Sequence, residues 1–222
     1  MKEIIQIQRF LLAYLIFLPA FFTTLFFVVR KRYKNYSVFT FWISNLGVKK
    51  SHSQLIFSIC FFIFGFFNVL FCLILFETLP KTLLTSSILF FLSLSTILII
   101  LVPFFPMDEK RKVHEMIAIF LFISILTACL LFAYFNLISQ MFSVYLTIFS
   151  LAVVVFSFLL SYSYLKIKAK YGGWAMSDLA LERKKEKSFI IKNATLWEWL
   201  TFFSVIVWLF VLVINILLAY II

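Results

Sequence analysis

Leu200–Ile222 reads LTFFSVIVWLFVLVINILLAYII, with no charged side chain anywhere in it. A helix rises about 1.5 Å per residue, so this run reaches across the roughly 30 Å hydrocarbon core of a bilayer. Lipid offers the backbone no hydrogen bonds, and a helix satisfies every peptide group from within. The segment is therefore a transmembrane helix, and the fold follows from asking how often the pattern occurs.

Working back toward the N-terminus, it occurs five more times, at about Phe10–Val29, Leu55–Phe76, Leu83–Val102, Met116–Ile138 and Phe142–Leu165. The expected fold is all-α: one polytopic domain over residues 1–222, a bundle of six transmembrane helices. Composition agrees. Hydrophobic residues make up 64% of the chain, against roughly half in soluble domains. The first run is too long for a signal peptide and is closed by Arg30-Lys31-Arg32, a stop-transfer pattern. Pro19 is expected to kink it, which neighbouring helices tolerate. Glu77–Lys81 and Ser139–Met141 are short connections, which make their flanking helices antiparallel neighbours.

Orientation comes from the basic residues. Arg30–His52, Pro103–Glu115 and Lys166–Leu196 hold 6, 3 and 8 Lys and Arg, 17 of the 20, and all three lie on one side. Only Lys2, Arg9 and Lys81 lie on the other. The positive-inside rule places the three long connections in the cytoplasm and both termini outside, in the cell membrane. A net charge of +11 needs no nucleic acid to explain it, because no soluble domain carries a site for one. Cys60, Cys72 and Cys129 lie in apolar runs without a CxxC partner, which indicates neither disulfide nor zinc. No metal or cofactor is expected.

The charged residues also bear on function. The nine acidic residues fall at termini, in loops or at span ends, and no ionisable residue sits well inside a span. Proton-driven pumps place such groups near the midplane, so that class is disfavoured, while a transporter of a small neutral solute survives. With 4 glycines, phosphate-cradling loops and GxxxG packing are absent. His52 and His114 are too few for an ordinary zinc hydrolase.

Two segments on the basic side carry candidate chemistry. Phe41–Gly47 is a polar turn between apolar flanks, and its Asn45 and Gly47 accept left-handed backbone. Pro103–Glu115 ends the third helix with two prolines and brings Asp108 and His114 to the start of the fourth. If the two loops meet, His114 and Asp108 form a general-base pair with Ser44 as a nucleophile. Otherwise Ser44 and Asp108 cap helices and His114 is an interfacial polar residue. Asn68, Asn136 and Asn215 form a second set in the outer halves of their helices, either as hydrogen-bonding glue or as the lining of a polar cavity. In the longest loop, Trp174–Lys187 reads as an interfacial helix or a solvated loop. In the first case Trp174 is the anchor, and Arg183, Lys184 and Lys185 meet anionic headgroups. Trp197 and Trp199 flank Glu198 where an aromatic belt belongs. Asn193-Ala194-Thr195 is a glycosylation sequon that goes unmodified in the cytoplasm.

The Ile43–Gly47 turn (Ile-Ser-Asn-Leu-Gly), Asn68, and Phe105-Pro106 followed by His114 resemble, in order and spacing, the prokaryotic six-span membrane proteins grouped as domain of unknown function 998. The resemblance runs to about residue 165. More distantly the turn looks like that of the DRAM and Sfk six-span proteins, which are associated with lipid handling. It implies a six-helix fold and a lipid-facing site that includes Asn45, Gly47 and Asn68, and it supplies no reaction. The leading expectation is a non-enzymatic membrane protein whose cytoplasmic face engages membrane lipids or a protein partner. A lipid-modifying enzyme using His114 and Asp108 comes second, and a neutral-solute transporter third. Whether the chain forms a homo-oligomer is not legible.

Overall fold

Each uncharged run becomes a helix because intrahelical hydrogen bonds are the only ones a membrane-spanning backbone can make. The computed structural model describes residues 2–32, 43, 52–105, 111–171 and 189–221. Its long helices are α1 (Lys2–Arg32), α2 (His52–Thr78), α3 (Leu83–Leu101), α4 (Arg111–Ser139), α5 (Val144–Tyr171) and α6 (Phe189–Ile221). There is no strand among the described residues. All six are long and apolar enough to cross a bilayer, so the chain is a multi-pass integral membrane protein.

Helices consecutive in the chain pack side by side, and α6 returns against α1 to close the ring. Half of the most apolar stretch of α6 is buried, against 28% for α1, so α6 is the most enclosed helix of the ring. Large apolar side chains such as Ile16, Phe27, Phe90 and Phe158 stay exposed on the outside, where lipid solvates them as well as protein would.

Phenylalanine holds α1 to α2. Phe10, Tyr14, Phe17 and Phe21 recur at spacings of four and three, so they share one face of α1. Across from them Phe17 stacks on Phe67 and Phe21 on Phe64, each pair with ring centroids 4.5 Å apart. Such pairs contribute about 0.5–1.5 kcal/mol beyond their buried area. Gly65 lets α2 approach α3, because a methyl group built there would overlap Ile100 Cγ1. One isolated glycine thus does locally what a GxxxG pair does along a helix.

The two ends of the bundle are built differently. At one end the turns are tight. Thr82 caps α3 through a capping box with Thr85. Lys81 hydrogen-bonds the Phe76 carbonyl at the C-terminus of α2, where a cation is favoured. Gln140 takes φ 52° to turn α4 into α5. At the other end the connections are long. There α3 passes into a 3-10 turn, Val102–Phe104, that accommodates Pro103 because that residue has no N–H to contribute. The last helix also starts before the apolar run at Leu200. Its candidate span is Asn193–Ala219, which takes Glu198 into the first turns of the span rather than leaving it ahead of the apolar run.

Candidate functional site

A polar side chain in an apolar helix must find a partner or remain at a cost, and sorting these residues by partner locates the site. Near the short-turn end every candidate asparagine is bonded. Tyr14 donates its hydroxyl to Asn68 Oδ1 at 3.0 Å, tying α1 to α2, while Asn68 Nδ2 donates to the Phe64 carbonyl. Asn136 holds the α4–α5 turn: its Oδ1 accepts from the Phe142 N–H at 2.9 Å, and its Nδ2 donates to Thr147 Oγ1 at 2.8 Å. Asn215 Oδ1 accepts from the Ser143 N–H at 2.9 Å, joining α6 to that turn. These amides are cross-helix fasteners, and they sit apart from His114.

The opposite end is different. His114, in the first turn of α4, is buried, and its Nδ1 lies 2.8 Å from the Phe105 carbonyl oxygen. A carbonyl only accepts, so Nδ1 carries the proton, and in the neutral ring Nε2 keeps its lone pair. Glu198, on α6, is also buried, and its Oε2 accepts the Ile43 N–H at 2.8 Å. That bond pins the α1–α2 connection to the last helix at the residue that opens the Ile-Ser-Asn-Leu-Gly turn. Thr201 lies one turn further along α6. It is 0% exposed, and its Oγ1 has no hydrogen-bond partner among the described residues. Elsewhere in this bundle such hydroxyls bond back to the carbonyl four residues earlier, as Thr96, Ser124 and Thr127 do. Thr201 does not.

His114, Glu198 and Thr201 line one cavity of about 80 Å³. Among the described residues its wall is otherwise apolar, with Phe57, Phe61 and Phe64 from α2, Ile99 from the end of α3, Val102 from the 3-10 turn, Leu121 and Ile125 from α4, and Phe202 and Val205 from α6. Ile43 also lines it. Ser157 on α5 has a hydroxyl as buried and as unpartnered as that of Thr201, but it borders no cavity that these residues line. On the other face of α2, a wider groove of about 320 Å³ is bordered by Ser58, Ile59, Phe62 and Ile63 together with Pro103 and Phe104. The 3-10 turn therefore presents Val102 inward and its next two residues outward.

Of the residues singled out from sequence, His114 lies in the cavity and Asn68 lies outside it. Ser44, Asn45, Gly47, Asp108, Trp174, Arg183, Lys184 and Lys185 fall outside the described residues. Trp199 departs from its expected place in an aromatic belt: it is buried in the bundle, while Trp197 stacks on Phe156. The reason is the longer α6, which carries these residues inside the packed region. Glu198 and Thr201 were not singled out as site residues. The available signal was periodic: Glu198, Thr201, Val205, Trp208 and Leu212 recur at spacings of three and four and are all buried. Comparison with family models, with curated proteins and with solved structures finds no match to this chain.

Proposed function

We propose that this protein binds lipid at the cytoplasmic end of its bundle, in the cell membrane, with both termini outside. One observation carries the reading. A chamber with an apolar wall and three polar groups lies at the end whose connections hold 17 of the 20 basic residues. Sites for amphiphiles have this make-up, with much apolar surface and a few placed polar atoms. The surrounding Lys and Arg, Arg183, Lys184 and Lys185 among them, would hold that end against anionic headgroups, each worth about 1 kcal/mol near the surface. Trp174 would anchor the same loop. Lipid is a better occupant than a protein partner because the chamber lies between helices. Ile43 and His114, two residues of the pattern that resembles the domain of unknown function 998 proteins, line it.

The test is native mass spectrometry of the purified protein after exposure to a lipid extract, compared with Ala118→Phe. Ala118 lines the chamber, and a phenylalanine there fills it. Bound lipid on the native protein that the variant loses supports the reading; adducts equal in both count against it. Single cysteines at Lys2 and Lys185, in a cysteine-free background, test the orientation. An impermeant reagent on intact cells should label the first and spare the second.

One observation favours a second reading, a lipid-modifying enzyme. His114 Nε2 is the ring nitrogen left for a guest in the chamber, which suits a general base. Turnover of an added lipid, abolished by His114→Phe, would favour the enzyme over the binding protein.

A further inference from the structure

We infer that the cavity is a binding site for a neutral lipid bearing a free hydroxyl, with the hydroxyl held between Thr201 and His114 and the chain leaving sideways past Val102. The inference rests on the lipid-binding reading and specifies the chemistry of its ligand.

The polar wall sets the head group. Thr201 Oγ1 is buried and unpartnered, so it has both a proton to give and lone pairs to offer. His114 has Nδ1 engaged with the Phe105 carbonyl, which leaves Nε2 as an acceptor. A guest that accepts from Thr201 and donates to His114 satisfies both at once. A hydroxyl does so with a single atom; an ether or ester oxygen does only half. No Lys or Arg among the described residues lines the cavity, and a carboxylate, Glu198, does. Among the described residues a phosphate or carboxylate head would meet no counter-charge in the cavity, and burial without one carries a large desolvation cost.

Volume sets the depth. One water needs roughly 10–15 Å³ of such space, so a cavity of about 80 Å³ takes a hydroxyl and a few carbons, not a whole lipid. The remainder needs a way out, and the 3-10 turn marks it. Val102 lines the inner cavity while Pro103 and Phe104 line the groove on the lipid side of α2. A chain passing between α2 and this turn would exchange cavity wall for groove and then bilayer without crossing water.

The probes are four twelve-carbon amphiphiles: dodecanol, dodecyl methyl ether, dodecanoate and dodecyltrimethylammonium. Each is titrated into the full-length protein in neutral nanodiscs, with Ala118→Phe as the blank for membrane partitioning. Dodecanol should bind roughly five- to tenfold tighter than its methyl ether, the effect of one donated hydrogen bond. His114→Phe should erase that difference, whereas Thr201→Val should weaken alcohol and ether alike and Thr201→Ser should restore both. Equal binding of alcohol and ether overturns the inference and leaves the lipid-binding reading standing. Preference for the quaternary ammonium also overturns it, assigning the phenylalanine wall and Glu198 to a cation. No saturable binding of any probe, together with no lipid retained from the extract, removes the broader reading as well.

Discussion

The two ends of this bundle use similar polar residues to opposite effect. At the short-turn end the side-chain oxygens of Asn136 and Asn215 accept the N–H groups of Phe142 and Ser143, the residues that shape the α4–α5 turn. At the long-loop end Thr201 is more deeply buried than either yet unpartnered, and it lines the same cavity as a histidine with one nitrogen left over. A buried polar group that is bonded belongs to the scaffold. One that is left unbonded at the wall of a cavity is kept for something that is not part of the fold. The difference separates structure from site more sharply than residue type does.

Three substitutions test that contrast, beginning with the largest effect. Asn136→Leu removes the partners of the Phe142 N–H and Thr147 together and should destabilise the protein by about 2 kcal/mol in detergent unfolding. A loss below about 0.5 kcal/mol would show that the turn holds without its fastener. Tyr14→Phe deletes one cross-helix bond to Asn68 and leaves the aromatic stack on Phe67 and Phe71 in place. The expected loss is about 0.6 kcal/mol, with a ceiling near 1.7 for such bonds in membranes. Thr201→Val is the opposite case. In delipidated protein it replaces an unpartnered buried hydroxyl with a methyl and should leave stability unchanged or slightly raised. A loss above about 1 kcal/mol would place Thr201 with the fasteners and dissolve the contrast.

The fold was readable because charge-free runs of about twenty residues have a single solution in lipid. The site was only partly readable. His114 stood out as a rare residue type beside a proline turn, and it does line the cavity. Glu198 and Thr201 were hidden by a boundary effect. Hydropathy starts the last span at Leu200, so Glu198 reads as a loop-side charge between two belt tryptophans. Helix α6 in fact begins at Phe189 and turns Glu198, Trp199 and Thr201 inward. There the carboxylate accepts the Ile43 N–H, 155 residues away in the chain, and no local pattern contains such a bond. The three asparagines were placed by depth alone, which could not tell a fastener from a cavity wall; their partners on other helices make that distinction.

The central claim is that the long-loop end of the bundle interior is open to lipid and the short-turn end is not, and α6 samples both. Val205 lines the cavity, and Leu212, two turns along the same buried stripe, is fully enclosed near the short-turn end. A small aliphatic diazirine residue at each position, photolysed in native membranes, reads lipid occupancy at both depths in one measurement. The account predicts a lipid adduct from position 205 and none from position 212, with the first lost in Ala118→Phe. Equal adducts at both positions, or an adduct at 212 alone, would contradict it.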